Sequence, residues 1–178
     1  MAIIKEAGTV THPVQSGELA TEKVEQAWPL VREIATGISL ESWCAFAQAM
    51  LSPPDPERDR RGILAVQRKR TIRGLVTYET IDDLIHGRML FLRNAVVMDL
   101  ALRESIAASL HASCTDIARQ TACDSLYLEV APQMAWIGDV WKQLSVAGRG
   151  LPVRVVAMHP PIAETPPAGR SVSVASGG

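Results

Sequence analysis

Three carboxylates stand where the sequence could do chemistry. Glu79 lies in the run Ile72–Asp82 (IRGLVTYETID), Glu129 in Leu126–Val130 (LYLEV), and Asp99 directly after the apolar stretch Met89–Met98. A carboxylate in an apolar strand either faces water on the strand's wet side or is buried with a raised pKa, and the buried form can trade a proton near neutral pH. Asp99 reads equally as a turn-former. A second opportunity is the turn from Met89–Met98 into the helical run Glu104–Ala122. A helix start offers free N–H groups and a positive dipole end to an anion. The small residues Ser105 and Ala107 let a ligand come close to that backbone. The remaining reactive types carry less. His12, His86, His111 and His159 are scattered, with no Asp or Glu at triad-like spacing. His111 is one step from Leu110 and is expected to face outward. Cys114 falls on the helix's apolar stripe and reads as a small core residue. Cys44, Cys114 and Cys123 show no CxxC spacing, so no metal site is expected and reduced thiols are the default.

These groups need elements to hold them. Ile106, Leu110, Cys114 and Ile117 recur at helical spacing between two apolar runs rich in strand formers, Met89–Met98 and Leu126–Val130. Strand, helix, strand is a βαβ unit, with parallel strands and a right-handed crossover. Ahead of it, Gly8–Gln15 suggests a first strand, with Pro13 marking an edge. Thr21 can cap a first helix in which Pro29 forces a kink or a late start, and Gly37 ends it. A second helix covers Leu40–Leu51, with Trp43, Phe46, Ala47 and Met50 inward. The loop Ser52-Pro53-Pro54-Asp55-Pro56 breaks the pattern. Gly62–Arg68, Ile72–Asp82 and Met89–Met98 follow with short turns and read as antiparallel strands. A helix at Ile137–Ser145 is stopped by Gly148, and Pro152–Met158 makes a last strand. The fold class is therefore α/β: a mixed sheet with helices on both sides, in the order β-α-α-β-β-β-α-β-α-β. Residues 1–158 form a single domain, and the Pro-, Ser- and Gly-rich tail 159–178 is expected to be disordered.

Composition narrows the function classes. The chain has 178 residues, 47% hydrophobic, with a net charge of −1. That is enough for a sizeable core, and it gives no support for nucleic-acid or acidic-membrane binding. The arginines between Arg58 and Arg73 interleave with acids at their start and read as a solvated loop and strand end. No run reaches the roughly 18 apolar residues of a membrane span. The segment MAIIKEAGTV lacks a long apolar core, which points to a cytoplasmic protein.

The element order, with the segment Val96–Ala147, resembles the GCN5-related N-acetyltransferase (GNAT) superfamily. In that family a helix start reading Gln/Arg-x-x-Gly-x-Gly/Ala grips the pyrophosphate of coenzyme A. The matching residues here are Leu102-Arg103-Glu104-Ser105-Ile106-Ala107. The resemblance implies acetyl-CoA or another acyl-CoA as substrate, in the cleft between Met89–Met98 and Leu126–Val130. It implies coenzyme A contacts from Arg103, Ser105, Ile106 and Ala107, and thioester polarisation by backbone N–H near Val96 and Val97, where the strand bulges. It implies a small-molecule or protein amine as acceptor, and Glu79 or Glu129 as general base. The acceptor pocket would form between the first two helices, the loop 52–61 and Ile72–Asp82, with Trp43, Phe46 and Tyr78 as candidate walls. Three positions depart from the pattern: Leu102 for Gln/Arg, Ser105 for Gly, and Trp141 where the family often has a tyrosine acid. They motivate a second reading, a binding or regulatory module that has lost acetyl transfer. The last strand's exposed edge would allow a homodimer.

Overall fold

In the computed structural model, residues 14–52 and 60–158 are described. The proposed strand segment 8–13, the proline loop from 53 and the tail 159–178 lie outside them. The elements are β1 (Gln15–Glu18), α1 (Trp28–Ile34), α2 (Leu40–Leu51), β2 (Arg61–Arg68), β3 (Thr71–Asp83), β4 (Gly87–Val97), α3 (Arg103–Gln120), β5 (Ser125–Val130), α4 (Ala135–Val146) and β6 (Val153–Ala157). The six strands hydrogen-bond in chain order, with β1 to β4 antiparallel and β5 parallel to both β4 and β6. This is the α/β order expected from the sequence.

Local chemistry sets the boundaries. Two short 3-10 turns, Thr21–Lys23 and Glu25–Ala27, precede α1, and Thr21 does not cap it. Pro29 falls in the first turn of α1, so it delays the helix rather than kinking it. Ser39 caps α2, its Oγ accepting from the Ser42 N–H at 3.1 Å. The β2–β3 hairpin turns at Lys69 and Arg70, both with positive φ, as a two-residue turn matched to strand twist requires. Helix α3 ends on Ala122 at φ 55, and the Cys123 N–H reaches the Ala118 carbonyl at 2.7 Å. Glycine usually occupies such a position, so the sequence carried no signal for that end.

Ile63–Val66 and Leu75–Val76 bury both alternating faces of their strands, so the sheet is covered on both sides there. Helix α3 lies on the face of Gly74, where an added Cβ would come within 2.5 Å of Ile106 Cγ2. Helix α4 packs beside it, with Gly138 against Val155 of β6. Helices α1 and α2 cover the opposite face. Two side-chain expectations are corrected here. Phe46 is 39% exposed, because Trp43, Ala47 and Met50 already form the buried stripe of α2. His111 is only 1% exposed, because α3 is packed between the sheet and α4 and buries two neighbouring residues per turn.

Buried His111 has a thermodynamic consequence. Its ring meets Trp141 edge-on at 5.3 Å, and its Nε2 has no hydrogen-bond partner among the described residues. Burial pushes its pKa below the ordinary 6.5. Between the depressed folded value and 6.5 the unfolded chain binds more protons, so stability rises with pH through that window. The expected result is an unfolding temperature that falls as the pH drops below 6.5. His111→Leu should reduce that fall, and an identical profile in the variant would contradict this account.

Candidate active site

The site begins with a defect in the sheet. Thr77 pairs with Arg93 and Leu75 with Val96, so Asn94 and Ala95 together face Val76. Asn94 takes φ 55 to make this bulge, and its side-chain amide donates to Thr77 Oγ1 at 3.2 Å. Pairing of β4 with β5 stops at Leu92 and Leu128, while β5 continues along β6 to Val130. Two parallel strands that part in this way leave a wedge with open backbone groups along it. The Met98 N–H donates to the Arg73 carbonyl of β3 at 2.8 Å, so alternation turns the Val97 N–H away from β3 and the Val96 N–H toward it. Of the two expected donors, Val97 is the one that faces the wedge.

One mouth of the wedge lies between the start of α3 and the turn into α4. It is a groove of about 610 Å³ lined by Arg73, Val97, Asp99, Arg103, Met134 and Trp136, among others. Asp99 is a turn-former: its Oδ1 accepts from the Leu102 N–H at 3.1 Å. Leu102 is the N-cap, and the Ile106 N–H closes the first helical bond on its carbonyl at 2.9 Å. The N–H groups of Arg103, Glu104 and Ser105 therefore come before the helical ladder and are open to a ligand. Ile106 and Ala107, also expected as contacts, lie just inside the helix. Both side chains are fully buried, and the Ile106 N–H is already used. Arg103 and Ser105 are exposed, as an anion site needs. The Arg103 guanidinium sits over the Trp136 ring at 5.3 Å, and a second groove of about 680 Å³ continues from this pair between α3 and α4.

Arg73 was read from sequence as part of a solvated basic stretch. Arg73 lines this groove, and its Nε, like those of Arg61, Arg68 and Arg88, is buried with no hydrogen-bond partner among the described residues. A buried guanidinium nitrogen left unpaired is costly, and an anionic ligand would satisfy it. The donor set of Arg73, Arg103 and three helix-start N–H groups fits a diphosphate.

The other mouth opens on the face of α1 and α2. Glu79 and Glu129, far apart in sequence, line one cavity of about 320 Å³ there. Glu79 Oε1 accepts from the Arg93 guanidinium at 2.6 Å. Glu129 carries no ion pair among the described residues. Phe46 and Tyr78 lie in the same wall, the Tyr78 hydroxyl donating to Glu18 at 2.6 Å; Trp43 does not line the cavity, and its indole Nε1 donates to the Val24 carbonyl at 2.8 Å. Burial, then the Glu18 carboxylate, push the Tyr78 pKa upward. Trp141, where the family often has its acid, is fully buried and donates Nε1 to the Ala107 carbonyl at 2.9 Å. Its position is set by packing between α4 and α3.

No family model matches the sequence, and no curated protein matches it. Solved structures do. An aminoglycoside N-acetyltransferase in complex with CoA superposes with a TM-score of 0.63 at 13% identity, covering 86% of this chain and 98% of that one. The glucosamine-6-phosphate N-acetyltransferase of Arabidopsis thaliana gives 0.56 at 11%, covering 72% and 90%. A ribosomal-protein-alanine N-acetyltransferase of Brucella melitensis biovar Abortus 2308 gives 0.54 at 14%, covering 74% and 90%. The chain has the GNAT fold. Among the described residues no helix is long and apolar enough to cross a membrane.

Proposed function

We propose that the chain is an acyl-CoA-dependent N-acyltransferase that transfers an acetyl or related acyl group to an amine. The parting of β4 and β5 carries this reading, because it joins an anion-binding mouth on one side to a carboxylate-lined mouth on the other. Arg73, Arg103 and the open N–H groups of Arg103, Glu104 and Ser105 would hold the diphosphate. The thioester carbonyl would lie in the wedge, polarised by the Val97 N–H. Glu129 takes the proton from the incoming ammonium, and Glu79, tied to Arg93, positions that arginine. A thiol with a pKa of about 8.5 leaves readily as thiolate and takes its proton from water, so no tyrosine acid is required. That removes one of the three grounds for the non-catalytic reading, the one at Trp141. The free cysteines Cys44, Cys114 and Cys123 support a reducing, cytoplasmic setting.

Thermal unfolding with acetyl-CoA, free coenzyme A and ATP tests the assignment. Ligand at about 100 times its dissociation constant should stabilise the fold by ~2.7 kcal/mol. For a domain of this size that is a rise of about 5–10 °C. The rise should be specific to coenzyme A species and should vanish in Arg103→Glu. No rise at millimolar acetyl-CoA, or an equal rise with ATP, would overturn the reading.

A further inference from the structure

We propose that the acceptor is a small primary monoamine with a flat apolar body, of the arylalkylamine class. This rests on the acyltransferase reading above and narrows it. The cavity at Glu79 and Glu129 adjoins a second one of about 370 Å³, and the two share Phe91 and Glu129 as walls. Together they form one trench along the half of the sheet that α1 and α2 leave open. Its charge is nearly balanced. Arg93 is neutralised by Glu79 and lies over the Phe91 ring at 4.9 Å, so this guanidinium is committed on two sides. At the far end, the Asp83 carboxylate accepts from the N–H groups of Ile85 and His86 at 2.9 and 2.8 Å and lies beside Arg154. Glu129 is left as the one carboxylate of the described lining with neither an ion pair nor a hydrogen bond. A single uncompensated negative charge suits a single ammonium. A polycationic acceptor would leave further charges unpaired, and a phosphorylated one would find Arg93 already paired with Glu79.

The walls select the rest of the molecule. Phe91 and Tyr127 are paired neighbours on β4 and β5 whose rings pack side by side, centroids 5.1 Å apart and planes tilted by 33°, as one aromatic floor. Phe46 and Met50 of α2 complete the apolar surface nearer the wedge. An aromatic floor favours a flat partner laid on it, and its π-faces attract a cation. With its ring on Phe91 and Tyr127, the amine gives one proton to Glu129. The freed nitrogen lone pair attacks the thioester carbonyl, the C–N bond forms, and the C–S bond breaks with its electron pair on sulfur. The nitrogen then loses its second proton to water, and the thiolate takes a proton from water, giving an amide and a free thiol.

The test is calorimetric titration of the full chain with phenethylamine, neamine and glucosamine 6-phosphate, alongside thiol release from acetyl-CoA with each. Phenethylamine should bind at least about tenfold more tightly than the other two, and Glu129→Gln should weaken it about tenfold, the loss of one charge-assisted hydrogen bond. Phe91→Ala should weaken phenethylamine further and leave glucosamine 6-phosphate unaffected. Equal or tighter binding of neamine or glucosamine 6-phosphate would overturn the acceptor class, as would unchanged phenethylamine affinity in Glu129→Gln. Phenethylamine binding without thiol release would support the acceptor pocket and remove the acyltransferase reading. Thiol release with neamine alone would do the opposite.

Discussion

Glu129→Gln is expected to lower kcat/KM for acetyl transfer by about 10²–10⁴-fold at neutral pH, with the unfolding temperature unchanged. The carboxylate lies one residue before the end of β5, beyond the last residue that pairs with β4, on the acceptor side of the wedge. It is the only described carboxylate in the trench that is not tied to a cation or a backbone N–H. Glutamine keeps the shape and cannot take the proton. The loss should therefore be largest where the amine is still protonated and shrink as the pH approaches the amine's own pKa. Glu79→Gln makes the comparison informative. It releases Arg93 but leaves the base in place, so it should raise KM more than it lowers kcat. Steady-state rates for both variants from pH 6 to 9 decide the matter. Equal losses in the two, or a larger loss for Glu79→Gln, would move the base to Glu79.

The second large effect is on stability. Trp141→Ala should cost about 3–5 kcal/mol, the range for removing a fully buried large aromatic side chain. The unfolding temperature should fall on the order of 10 °C for a domain of this length. Trp141 is buried between α4 and α3, and its indole N–H bonds the Ala107 carbonyl. It thereby ties α4 to the first turns of the helix that carries the anion site. Trp141→Tyr sharpens the argument. If position 141 supplied the proton for the leaving thiolate, tyrosine there would raise kcat. With the indole acting as a packing strut, tyrosine should lower stability and leave kcat no higher. Denaturant unfolding and turnover measured on the same samples separate the two.

Most of the fold was legible because its periodicities are local. The short runs of strand-forming residues in β2 and β3, the 3.6-residue stripe of α3 and the proline in α1 each act within a few residues, and they yielded the element order. The bounds of α2 follow from Ser39 and its own apolar stripe. What failed depended on neighbours distant in sequence. His111 has the local surroundings of a surface residue, and only the packing of α4 against α3 buries it. Arg73 sits in a basic stretch that reads as solvated, and only the fold brings it to the mouth of the wedge. The first helical bond falls on Leu102, which puts Ile106 and Ala107 inside the helix, a matter of backbone geometry that residue types do not encode.

The sequence by itself determined the βαβ unit around α3, the antiparallel run before it and the short list of carboxylates. Each of these follows from the spacing of apolar side chains along a single element. Only the tertiary structure decided that Glu79 and Glu129 share one cavity, that Glu79 is neutralised by Arg93, and that the strands part after Leu92 and Leu128. Register across strands and the parting of a sheet are set by contacts between segments tens of residues apart. The sum of many such contacts places a bulge at Asn94, and with it the wedge on which the proposed chemistry depends.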